Sequence, residues 1–367
     1  MKSPVAMPPQ SPQSPPGGGR RPARRRARWP TVLHLLAWAA ALGLTAWHEG
    51  RPAALRESEA AYRRADFTTA VRRSLDHLGR RPWSRSAARL AALGLSRLDF
   101  ADTAEPYYRR AGALSVDDRH IRAYGLVRSN QRQRAIDAYE AILARRPDDV
   151  LAMSRQAAVL LSQGRFDEAA ALAERLIRTP GGGVIGYTLL GSAKHDLKEP
   201  EAAVAAFERV LELDPRLRSM PLPATTFWDY LAGDLLAAGR AASARDYLTR
   251  ALAEHDDATL MDDLGRAYQH AGDADEARRW WGRALRRDPN CGTAWLDLGR
   301  WELGRGRPLA AVPLLARAAE LVPESVEPAY SLSLAYRQLG QDQEARRWHD
   351  RTEQFRRRGR GRPPRSS

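Results

Sequence analysis

The chain is 367 residues long, 43% hydrophobic and 28% charged, with a formal net charge of +15. It is too long for one ordinary compact core and too apolar for a wholly unstructured chain, so several domains or an elongated array are expected. A single cysteine, Cys291, excludes an intramolecular disulfide framework and any cysteine-based zinc cluster.

The charge is placed at the ends. Residues 1–30 hold seven basic side chains and no acid, and residues 356–367 hold six and no acid. The rest of the chain then carries 46 basic against 44 acidic residues, close to balance. A nucleic-acid-binding fold with a basic face across its body is therefore not expected.

Residues 1–28, rich in Pro, Ser, Gln and Gly and ending in an Arg cluster, read as a disordered cytoplasmic leader. Residues 29–48 follow with the apolar run from Trp29 to Trp47, in which Thr31, His34 and Thr45 are the clearly polar side chains. The run is near the short limit of roughly 17 residues for a spanning helix. Its two Trp residues suit an interfacial pair, and Pro30 fits a first helical turn. Six Arg precede the run, so the positive-inside bias predicts an uncleaved signal anchor with the N-terminus in the cytoplasm and the remainder extracytoplasmic, as at a bacterial inner membrane. A cleaved signal peptide with an apolar region from Val32 to Leu44, and a buried soluble helix, are the alternatives.

From there a period governs the sequence. Ala70, Ala104, Ala135, Ala169, Ala203, Ala244, Ala277, Ala311 and Ala345 recur at spacings of 34, 31, 34, 34, 41, 33, 34 and 34. Gly272, Gly306 and Gly340 keep the same beat, as do Pro289 and Pro323. In the clearest unit, 258–291, Leu264, Gly265 and Tyr268 stripe a first helix, Gly272 makes the turn, and Ala277, Trp281 and Ala284 stripe a second before Pro289 stops it. This pattern resembles the tetratricopeptide repeat, matching its L-G-x-x-Y, A-x-x-x-F and P positions with Trp281 in place of Phe.

The resemblance implies an all-α, right-handed superhelical solenoid over residues 51–355, preceded by a single transmembrane helix and followed by a disordered Arg-rich tail, 356–367. Nine helix-turn-helix units are expected near 51–84, 85–115, 116–149, 150–183, 184–217, 225–257, 258–291, 292–325 and 326–355. Two interruptions, Arg218 to Ala224 and Pro180 to Gly183, read either as hinges or as ordinary long turns.

No metalloprotease helix, phosphate loop or nucleophile elbow occurs, so no catalytic, cofactor or metal residues are expected. The acidic pairs Asp148-Asp149, Asp256-Asp257 and Asp262-Asp263 read as helix starts or exposed helix faces. Stacked units instead create a concave surface lined by first helices. In the repeat register its candidate liners are Thr188, Ser192 and His195, then Thr226, Asp229 and Gly233, then Asp262, Arg266 and Gln269, then Leu296 and Arg300. Relatives that clamp chaperone C-termini use Lys and Asn at such positions, and this sequence does not, so chaperone docking is not expected.

These readings point to a membrane-anchored, non-enzymatic scaffold that binds a protein or peptide partner, with no cofactor and no nucleic acid. The alternatives are a soluble regulatory repeat protein whose Arg-rich tails contact nucleic acid or other polyanions, and an accessory subunit of a transferase or kinase. The stretch Arg360-Gly361-Arg362-Pro363 resembles the core of a minor-groove-binding AT-hook, as a weak motif.

Overall fold

A computed structural model describes residues 53–360. Among them are 18 α-helices and no strand. They run as nine antiparallel pairs: α1 (Ala53–Arg63) with α2 (Phe67–Arg80), α3 (Arg85–Arg97) with α4 (Ala101–Ala111), α5 (Val116–Arg128) with α6 (Arg132–Leu143), and α7 (Val150–Ser162) with α8 (Phe166–Ile177). There follow α9 (Gly183–Asp196) with α10 (Pro200–Leu213), α11 (Ala224–Ala237) with α12 (Ala241–Glu254), α13 (Ala258–His270) with α14 (Ala274–Arg287), α15 (Gly292–Gly304) with α16 (Pro308–Leu321), and α17 (Val326–Gln338) with α18 (Asp342–Arg360). The expected anchor, residues 29–48, lies outside the described residues. Among those described, no helix is long and apolar enough to cross a membrane.

One device repeats in every turn between paired helices. Ala65, Asp99, Asn130, Gly164, Lys198, Gly239, Gly272, Gly306 and Gly340 all have φ between 57° and 85°, the left-handed conformation that ends a helix. The next residue's N–H then returns to a carbonyl five positions back, as Asp66 to Ala61 and Asp273 to Tyr268, both at 2.9 or 3.0 Å. Five of the nine positions are Gly, and the other four tolerate the strain of a side chain there.

Packing within a pair uses small residues. The alanines that set the period are fully buried, apart from Ala345 at 6% exposure. Where the first helix carries Gly191, Gly265 or Gly299, the large residue opposite lies where a Cβ would be: Phe207, Trp281 and Leu315 stand 2.5 to 2.6 Å from such an atom. Trp281 and Phe207 are accordingly among the largest fully buried side chains. Neighbouring first helices also pack on one another, α11 on α13 and α13 on α15 among them, which makes the first helices the inner layer of the stack.

Both interruptions are packed. Gly182 and Gly186 let α9 press onto the end of α8, since a Cβ there would stand 2.3 Å from the Leu176 carbonyl and 2.8 Å from Ile177. The longer link before α11 lays Leu217 and Met220 against the core, and Asp214 accepts the Ser219 N–H at 2.6 Å. These are structured turns rather than loose joints. The expectation of a disordered tail from 356 also needs correction: α18 continues to Arg360, helped by an Arg356–Glu353 ion pair of 2.7 Å one turn apart. Residues 361–367, with most of the AT-hook-like stretch, lie outside the described residues.

Candidate functional site: the inner face of the first helices

The inner layer presents three chemically distinct stretches. The first is a cavity of about 460 Å³ bounded by α1, α3 and α5. Tyr62, Ser86, Arg89 and Ile121 line it, so its walls are half polar and half apolar. Arg89 donates from Nε and Nη2 to the two oxygens of Asp118 at 2.7 and 2.6 Å. Burial works to raise the Asp118 carboxyl, but this two-pronged bond and the capping Ser115 hold it below the usual carboxylate range. The Tyr62 hydroxyl is buried there without a hydrogen-bond partner.

The second stretch lies where α9 meets α11. His195 Nδ1 sits 3.0 and 3.1 Å from the two oxygens of buried Asp234, and its ring stacks on Tyr230 with centroids 4.4 Å apart and planes 9° off parallel. Burial raises the adjacent Asp196 carboxyl. Thr188 and Ser192, expected as liners, are instead buried. Each is spent on its own helix: Thr188 donates to the Val184 carbonyl at 2.8 Å and Ser192 to that of Thr188 at 3.0 Å. A short hydroxyl four residues beyond a free carbonyl lone pair folds back onto it rather than reaching outward.

The third stretch is a ladder of alternating charge. Arg266 on α13 lies 4.0 Å from Asp229 on α11 and 3.9 Å from Asp297 on α15. Arg300 on α15 lies 3.9 Å from Asp297 and 3.4 Å from Glu327 on α17, and its Nε also reaches Ser331 at 3.3 Å. The ladder crosses four successive first helices and ties them together. Thr226 and Gly233 are half-buried beside its start, Gln269 is exposed on its rim, and Leu296 is buried beneath it.

Under the ladder sit Asp262 and Asp263, 1% and 0% exposed. The expectation that this pair lies on a solvated helix face is therefore wrong. Asp263 is ion-paired with Arg266, and neither Asp262 oxygen has a hydrogen-bond partner. Burial first, and Asp297 second, push the Asp262 carboxyl up to about 7, while burial also raises Asp263 and Asp297. The other two acidic pairs behave as the sequence suggests: Asp149 caps α7 through the Ala152 N–H at 2.8 Å, and Asp257 caps α13 through Thr259.

His195, Asp229, Arg266, Gln269 and Arg300 follow from the repeat register, whereas Arg89, Asp118, Tyr230, Asp234 and Asp297 join the inner layer without being expected from it. A signal for Asp297 was present: Asp-Leu-Gly-Arg occurs at 263–266 and again at 297–300, one period later. Cys291 is buried, its thiol raised by that burial and bonded to Thr293 at 3.4 Å, which suits packing rather than nucleophilic attack. Among the described residues no group of three His, Cys, Asp or Glu is arranged to hold a metal.

Family models described as tetratricopeptide repeat match residues 122–183, 263–325 and 296–358, and a second model of that description matches 186–217. Together they take in half of the chain, which belongs to the tetratricopeptide repeat family. The CTR9 homolog of Arabidopsis thaliana is 24% identical over 286 residues, 66% of this chain and 26% of that protein, so the match spans about a quarter of the relative's length. Among solved structures, the C-terminal part of a TPR repeat-containing protein from Cytophaga hutchinsonii is 20% identical, with 65% of this chain and 97% of that one covered and a TM-score of 0.53. A tetratricopeptide repeat protein from Parabacteroides merdae is 13% identical over 67% of this chain and 96% of its own, with a TM-score of 0.46. At 20% identity, the likeness to the Cytophaga hutchinsonii structure is one of fold.

Proposed function

We propose that the chain is a non-enzymatic scaffold that seats an extended segment of a protein partner along the inner face of its first helices. The observation that carries this reading is the cavity between α1, α3 and α5, where the half-exposed Arg89, held by its pair with buried Asp118, borders open space beside Ile121 and Tyr62. Such a mixture offers an extended chain both apolar contact and backbone hydrogen bonds. The inner face presents different chemistry at each repeat, so a long segment is read in register by successive helices.

The scaffold is further proposed to be displayed from a membrane by residues 29–48, with the N-terminus cytoplasmic and the solenoid extracytoplasmic. Support comes from the sequence alone: an apolar run flanked by Trp29 and Trp47, with six Arg before it. Carbonate washing of membranes followed by protease treatment of intact spheroplasts tests this. The full chain is expected to stay in the pellet and its solenoid to be cut from outside; recovery in the soluble fraction would overturn the anchor. A mature chain beginning near residues 44 to 47 would replace it with a cleaved signal.

A further inference from the structure

Away from the inner face, α14 carries a concentration of positive charge that the scaffold reading does not use. Arg278, Arg279, Arg283 and Arg286, with Gly282 and Leu298, line a cavity of about 370 Å³. No acidic residue lines it. Solvated basic helix faces ordinarily interleave acids one turn away, and α14 does so only near its start, where Arg279 pairs with Glu276; Arg287, at its end, pairs with Asp256 in the link before α13. Among the described residues, Arg278, Arg283 and Arg286 have no carboxylate partner.

Like charges on an exposed helix would splay apart, but two of these are held. Arg283 lies over the Trp280 indole at 4.3 Å from its centroid, and Arg278 over Trp301 at 5.5 Å. Arg305, at the end of α15, lies over the same Trp301 at 5.0 Å. Stacking occupies the face of a guanidinium and leaves its in-plane N–H groups free to donate. Gly282 keeps the floor open, since a Cβ there would meet only Arg286, at 3.6 Å. The result is an array of forked donors around open space, two of them held by stacking, with Leu298 as its apolar edge.

We infer that this cavity binds a phosphoryl-bearing anion through Arg278, Arg283 and Arg286. Phosphoryl oxygens match the forked donors in pairs, and a guest with more than one anionic group fills a space of this size and relieves the mutual repulsion of the three cations. Two sources supply that chemistry, a free polyphosphate or a lipid headgroup.

The full chain in detergent, at about 150 mM NaCl to screen distant charges, is titrated with pyrophosphate and, separately, with glycerophosphoglycerol. Because Trp280 and Trp301 lie under the arginines, tryptophan fluorescence reports occupancy directly. A saturable change is expected with at least one of the two probes, weakened at least about tenfold by Arg283→Gln with Arg286→Gln and several-fold by Arg283→Lys, which keeps the charge but loses the fork. Arg110→Gln, on a distant second helix, is expected to bind as the parent does. The probe that binds more tightly names the source. A response reproduced by NaCl at equal ionic strength, one unchanged in both Arg283 variants, or none with either probe would overturn the inference. Should the double variant unfold, Arg283→Lys decides alone.

Discussion

A Cβ placed on Gly265 would stand 2.5 Å from the Trp281 indole nitrogen, so the ring lies against α13 only because that side chain is missing. The two residues are one packing unit, and either can be broken separately. Gly265→Ala should lower stability by about 1–3 kcal/mol through overpacking, and Trp281→Ala by roughly 3–5 kcal/mol through loss of a large buried ring. In a stack held only by neighbours, hydrogen exchange should show the loss first in α11 to α16. Uniform loss along the whole stack would contradict local coupling.

The turn between paired helices gives a prediction of opposite signs. Gly272 sits at φ 85°, where a side chain strains the backbone by about 1–2 kcal/mol, so Gly272→Ala should cost that amount. Ala65 already bears such strain at φ 60°, and Ala65→Gly should be neutral or stabilising by up to about 1 kcal/mol. Urea midpoints of the two variants check the pair; equal destabilisation by both would refute the reading.

The buried acids set a pH dependence. The Asp262 carboxyl is pushed up to about 7 by burial first, then by the like charges of Asp297 and Asp229, against the lowering pull of Arg266 and Thr293. A carboxyl with a raised native pKa favours the protonated folded state, so its contribution is complete below about pH 4 and is lost as pH rises through about 7. The urea midpoint should therefore be higher at about pH 5 than at about pH 8, and Asp262→Asn should flatten that slope. A midpoint that rises across this interval would contradict it. Carboxyls held low by exposed partners, such as Asp99 beside Arg128, titrate below the window.

Arg266 joins the ladder and partners buried Asp263. Arg266→Leu should cost roughly 3 kcal/mol by stranding that carboxylate, and adding Asp263→Asn should restore more than half of the loss. Additive losses in the double variant would mean that the two side chains do not act together.

The fold was readable because its rules are local. A buried alanine every 34 residues, a left-handed turn residue and a closing proline each leave a trace in one dimension. The early units were harder, since their turns use Ala65 and Asp99 where later ones use Gly, although the backbone does the same thing. The inner face was legible in part. Register alone puts Arg266 and Arg300 on first helices, where they join the charge ladder, but it could not show that Thr188 and Ser192 fold back onto their own helix. Nor could it separate Asp257, a cap, from Asp262, buried under its neighbours. Burial of Asp262 depends on α11 and α15 closing over it, and no local pattern reports that.

The central claim, that a partner lies along the inner face, is tested most directly by photocrosslinking. A benzoylphenylalanine is placed at Ser86 or Gln269 on first helices and, as controls, at Arg110 or Glu174 on second helices, all four being exposed. The account predicts one and the same partner joined from both first-helix positions, through a single contiguous segment of its sequence, and from neither control. Adducts to that partner from the second-helix positions alone would contradict it.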